Sequence, residues 1–228
     1  MRRNRKLDPK SFDLTTLSKP KDYRLLVSAR YLDASERLLN GMRAQHQENP
    51  FHFLVTLRSF IEYTRRGVWF LVWASSDQLR KAEHLTFKQA GSPSLTKMDA
   101  MINKAMGGGN VSHLTDLVDV VNEPYIDCLH ALTHGNPVSV RFIAMDLTRI
   151  FDMPRTLARA DHELNMFRLL LYRRVARMPQ NEIWRLLTPI RDKPQLLYEE
   201  VMKAAADVQR QHGMKIEWRY DTGNPVTA

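Results

Sequence analysis

His130 and His134 stand four residues apart in "CLHALTHGNPVSVR", and Arg141 follows seven residues later. Four residues is about one helical turn, so both imidazoles leave a helix on the same side. Two histidines and an arginine around a phosphodiester can support metal-independent ribonuclease chemistry. A histidine serves as general base or acid on the ribose 2′-hydroxyl, and the guanidinium offsets the charge of the phosphorane. The corner after the histidines has a purely structural account as well. Gly135 stops one helix, Asn136 caps the next and Pro137 opens it. That account leaves His130, His134 and Arg141 without a role, while the new helix start presents backbone N–H groups that attract anions. These three residues are therefore the candidate catalytic set.

The same histidines raise the question of a metal. Asp116, Asp119, Glu123, Asp127, His130 and His134 form a polar stripe offset by two positions from the apolar stripe Leu114, Val118, Val121, Tyr125, Cys128, Leu132. Such a stripe faces away from the core. The two-histidine metalloprotease pattern places a glutamate directly after the first histidine, where Ala131 stands here. No second Glu-x-x-His element completes a dinuclear site, so no metal is expected. No cofactor is expected either: "MGGGN" lacks the strand and the lysine of a phosphate loop, and no GxSxG element occurs. Cys128 lies on the apolar stripe, which makes it a packing residue.

A second group of residues suits a polyanion. The formal net charge is +9, and its placement is uneven. Residues 1–24 carry eight basic and three acidic side chains, and so do residues 155–191, while the chain between them is balanced. The first block includes Arg2, Arg3 and Arg5; the second includes Arg155, Arg159, Arg173, Arg174 and Arg177, with Arg168 nearer the apolar edge. A planar guanidinium grips phosphate oxygens in two places, and Tyr172 beside these arginines offers a ring on which a base can stack. RNA or another nucleic acid is the expected partner, with a solvated arginine face as the bland alternative.

A third constellation, Arg58, Glu62, Arg65 and Arg66, sits inside the most apolar stretch of the chain. Arg58 and Glu62 are four residues apart, and in a buried helix they are expected to satisfy each other as a polar pair.

The elements that hold these residues read as helices almost throughout. Apolar positions repeat at the helical period, and strand-like alternation is nearly absent. A first helix is predicted over about 22–46, with Leu25, Ala29, Leu32, Leu39 and Met42 on one side. "ENP" then starts a second over about 51–74, apolar nearly all round and so the buried central element. A polar helix follows in "SSDQLRKAEHLTFKQ", and Ser94 caps a short one that ends at Gly107 to Gly109. Residues 112–134 are helical with a bend at Pro124, and the helix after the corner runs to about Phe151. Asp152 and Pro154 open another that lasts to about Met178, striped by Leu157, Ala160, Leu164, Phe167, Leu171 and Val175. "NEIWRLL" and "QLLYEEVMKAAADVQRQ" close the set before Gly213. The expectation is one all-α, multi-helix bundle over 21–213, with a flexible basic arm at 1–20 and an extended tail at 214–228.

Length and composition fit this reading. The chain has 228 residues, enough for a substantial core without covalent staples. Its single cysteine excludes an internal disulfide and fits a reducing, cytoplasmic setting. The most apolar run, "VWFLVWA", is far too short to span a bilayer, so no membrane association is expected.

The stretch "LRSFIEYTRRGVWFLV" in a long buried helix, followed later by a helix ending "LHALTHGNPVS", resembles the HEPN superfamily of prokaryotic toxin, defence and nucleotidyltransferase-partner systems. The resemblance covers about residues 25–178 and implies a helical bundle. It also implies RNA as substrate, a metal-independent endoribonuclease activity and work as a homodimer. The family motif joins an arginine, a polar residue and, after four to six positions, a histidine. "RTLARADH" matches it as Arg155 and His162, the alternative catalytic pair, with Thr156 where Asn, Asp or His is usual. The competing expectation is a non-catalytic interaction subunit of a nucleoprotein or multi-protein complex.

Overall fold

A computed structural model of the chain describes residues 23–45, 49–84, 91–105 and 152–213. Among the described residues the protein is all-α, with seven helices and no strand. In chain order these are α1 (Tyr23–Gln45), α2 (Pro50–Val72), α3 (Ser76–His84) and α4 (Leu95–Ala105), then α5 (Met153–Val175), α6 (Gln180–Leu187) and α7 (Pro194–His212). The expectations for 1–20, 106–151 and 214–228 lie outside the described residues.

Local chemistry sets the helix ends. Asn49 accepts a hydrogen bond from the His52 N–H, and Pro50 occupies the first helical position of α2. Ser75 and Gln78 form a reciprocal capping box ahead of α3: Ser75 Oγ accepts from the Gln78 N–H, and Gln78 Oε1 accepts from the Ser75 N–H. Ser94 Oγ accepts from Lys97 N–H at the start of α4. Asp152 caps α5 by accepting from Arg155 N–H, with Pro154 just inside. Gly213 ends α7 with φ 63°, the left-handed conformation that costs glycine least.

Side-chain contacts fix the directions of the helices. Arg24 at the start of α1 reaches the carbonyls of Phe70 and Ala74 at the end of α2, so these two helices form an antiparallel hairpin. Arg168 of α5 meets Glu36 of α1, and Arg43 of α1 meets Asp161 of α5, so α5 also runs against α1. It follows that α5 is parallel to α2. His162 touches the Arg191 carbonyl and His212 touches that of Val175, so α7 runs the same way as α5 while α6 carries the chain back.

The core lies where α1, α2, α5 and α7 meet, built from Leu39, Met42, Phe53, Phe60, Leu164, Phe167, Val201 and Val208 among others. The sequence placed α2 alone at the centre. The structure gives that position to α5 as well: Met166 through Arg173 are buried without interruption. A basic helix can be this buried because α1 and α7 supply carboxylates to its arginines. A close approach occurs at Gly67 of α2. A β-carbon there would collide with the Phe167 ring and stand 2.8 Å from Tyr31 Cβ. Glycine is what allows α1, α2 and α5 to cross at this level.

Candidate nucleic-acid interface

His130, His134 and Arg141 lie outside the described residues, as do Arg2, Arg3 and Arg5. The other proposed residues can be placed one by one.

The arginines of α5 do not form one stripe. Arg155 is exposed and Arg159 half-buried at the start of the helix. Arg174 lies nineteen residues on from Arg155, about 28 Å at 1.5 Å per residue. Between them, Arg168 is buried and donates to Glu36 and Asn165. Arg173 is 9% exposed and held by Asp207 at 2.6 Å and Glu200 at 3.1 Å. Burial and hydrogen bonding act against each other on Glu200. Burial pushes its carboxyl up, but the bonds from Lys203 and Arg173 outweigh this and hold it below the ordinary 4.5. Tyr172 is 4% exposed and belongs to the core. The expectation that Arg173 and Tyr172 face a nucleic acid is thus corrected. Both sit on the side of α5 that α7 and the core cover.

Glu62, the expected partner of Arg58, acts on its charge but hydrogen-bonds to Arg66. Glu62 accepts from Arg66 through Nε at 2.9 Å and Nη2 at 2.6 Å. Arg58 is half-buried, and burial lowers its pKa, with Glu62 acting the other way. The fully buried ion cluster is instead Arg65, 0% exposed, with Asp99 of α4 at 2.6 Å and Glu163 of α5 at 3.2 Å. Burial opposes the Arg65 charge, but the two carboxylates outweigh it and hold the guanidinium ionised. This cluster ties α2, α4 and α5 together. A sequence signal for it exists: Arg65 continues the apolar row Leu54, Leu57, Ile61, and Glu163 falls in the row Ala160, Phe167, Leu170. A charge on a core row needs a partner from another helix.

His162 of the alternative catalytic pair is half-buried, with Nε2 against the Arg191 carbonyl. Arg155, two turns earlier on α5, is exposed. The Nε2 contact commits one imidazole nitrogen to the backbone.

Among the described residues, one end of the bundle gathers arginines without carboxylate partners. Antiparallel packing brings Arg24 and Arg174 to the level at which α2 and α5 stop. Burial lowers the Arg24 pKa, and the nearby Arg174 charge lowers it further. Arg24 bonds to backbone carbonyls of α2, Nη1 to Phe70 O at 2.9 Å, and so quiets the negative end of that helix. Arg174 has no carboxylate among the described residues, and its Nε is buried without an acceptor. Arg177, exposed, follows directly. Trp73, just beyond α2, stacks on Trp184 of α6 with centroids 6.2 Å apart and planes 24° apart, both residues half-buried at the edge of the core. Sequence reading flagged Arg174 and Arg177 but missed Arg24 and the tryptophan pair, because their proximity depends on helix direction.

Among the described residues no group of three or more His, Cys, Asp or Glu side chains is placed to hold a metal ion. No described helix is long and apolar enough to cross a membrane. Comparison with protein-family models, curated proteins and solved structures finds no match to this chain.

Proposed function

We propose that this protein binds RNA or another nucleic acid through the basic end of its helical bundle, in a cytoplasmic setting. The observation that supports the reading is the nearness of Arg24 and Arg174 at the end of the bundle where α1 begins, preceded in sequence by seven basic and three acidic residues. Two like charges near enough to act on each other, neither with a carboxylate among the described residues, are relieved by an anion. The HEPN resemblance adds a chemistry to this binding, metal-independent cleavage, for which His130, His134 and Arg141 are the first candidates and Arg155 and His162 the motif-based alternative.

A second reading is a non-catalytic interaction subunit. It draws on His162, whose Nε2 is engaged by the Arg191 carbonyl, which weighs against Arg155 and His162 as an acid–base pair. Incubation with total RNA in EDTA tests both. Retarded mobility that disappears with rising salt is the expected result, and accompanying cleavage assigns the ribonuclease. Absence of binding at low salt overturns the proposal.

A further inference from the structure

We infer that the bundle end where α2 and α5 stop binds a single-stranded nucleic acid, with Trp73 and Trp184 contacting bases and Arg174 and Arg177 contacting phosphates. The inference rests on the nucleic-acid reading above and adds the form of the ligand.

The first argument is the backbone of Arg177. Helix α5 ends in a Schellman motif: Met178 N–H donates to Arg173 O at 2.8 Å, and Arg177 N–H donates to Arg174 O at 3.0 Å. The motif puts its central residue in the left-handed region, and here that residue is arginine at φ 63°. Glycine is favoured at such a position because it has no β-carbon to clash. The same chain uses glycine for the equivalent turn after α7, where Gly213 also has φ 63°. At Arg177 the exposed side chain has no salt-bridge partner among the described residues. Strain kept at an exposed side chain that no carboxylate holds among the described residues leaves its guanidinium available to a ligand.

The second argument is the company it keeps. Arg174, three residues earlier, has a buried Nε with no acceptor. Pro179 and the first turn of α6 lead from Arg177 to Trp184, which stacks on Trp73. Arg24 anchors the chain on the carbonyls beside Trp73. Half-buried indoles at the same end of the bundle as guanidinium groups without carboxylates among the described residues are a combination suited to single strands. Bases stack on any aromatic face, and the phosphates track the cations. A duplex hides its base faces and gains only the charge.

The test compares labelled oligouridine of about 12 nucleotides, within the usual range of single-strand sites, with a duplex RNA of equal length across a salt series. The full-length protein should bind oligouridine several-fold more tightly than duplex. Arg177→Gly should raise Tm by about 2–4 °C and yet weaken oligouridine binding, reducing the log–log salt slope by about 0.7. Arg177→Lys should restore the slope without the gain in Tm. Trp184→Phe should weaken oligouridine more than duplex. An Arg177→Gly protein that is more stable and binds with an unchanged slope overturns the inference. So does equal binding of oligouridine and duplex, and both results leave the wider nucleic-acid reading standing. Failure of the wild-type protein to bind either RNA removes that reading itself.

Discussion

The strongest single-residue constraint is Arg65. Its guanidinium, wholly enclosed, compensates Asp99 and Glu163 at 2.6 Å and 3.2 Å. Removing one partner of a buried cluster leaves the others charged and desolvated, at about 3–5 kcal/mol. Arg65→Met should therefore lower unfolding stability by that amount in a denaturant titration. Adding Asp99→Asn and Glu163→Gln should return part of the loss, because neutral amides tolerate burial better than orphaned carboxylates. A fall well under about 1 kcal/mol in the single variant would show that the cluster contributes little. Glu200 behaves differently, since it lies near the surface and is held below the ordinary 4.5. A folded-state pKa below the unfolded value contributes stability above the unfolded pKa and loses it as pH falls through the folded value. Tm of the wild type should thus drop as pH falls below about 4.5, and Glu200→Gln should shallow that drop. Parallel Tm–pH curves for the two proteins would contradict the assignment. The sequence showed Arg65 but not its partners. Asp99 and Glu163 are 34 and 98 residues away, and no local spacing links them.

At the scale of elements, caps and period were legible and burial was only half so. Asn49, Ser94, Asp152 and Gly213 act at the helix ends where sequence rules put them, because capping depends on the next three residues. The central position of α5 was hidden by its arginines. A basic helix reads as surface, yet Glu36, Glu200 and Asp207 from two other helices let Arg168 and Arg173 sit inside. Gly67 was equally silent, since a glycine in an apolar run shows no reason for itself until the neighbour is known. Its reason is Phe167, and the expected outcome follows from the geometry. Gly67→Ala drives a methyl group into that ring, so α2 and α5 must separate or the ring must turn. Ordinarily alanine strengthens a helix by about 1 kcal/mol over glycine. Here overpacking should prevail, with a net loss of about 1–3 kcal/mol. Chemical denaturation decides the sign, and a stabilised Gly67→Ala protein would mean that the ring moves aside freely.

For the whole molecule, the all-α class followed from the apolar period, whereas the arrangement of charge needed the topology. Two basic blocks separated by 130 residues of balanced sequence carry no hint of proximity. The antiparallel pairing of α1 with α5 brings one residue of each block together, Arg24 and Arg174. The opposite end holds Arg155, and the middle arginines are neutralised by Glu36, Glu200 and Asp207. At the end where α2 and α5 stop, Arg24, Arg174 and Arg177 carry positive charge without a carboxylate partner among the described residues, a local field that attracts a polyanion. The N-terminal segment before Tyr23 carries seven further basic residues in sequence. Arg24 remains to hold α1 on the α2 carbonyls, so deleting residues 1–21 should leave the melting curve unchanged. RNA affinity at low salt should fall, and the log–log salt slope should shrink by about 0.7 for each single-strand phosphate that the truncated protein no longer neutralises. An unchanged slope would confine binding to the folded bundle, and a lowered melting temperature would make the segment part of the fold.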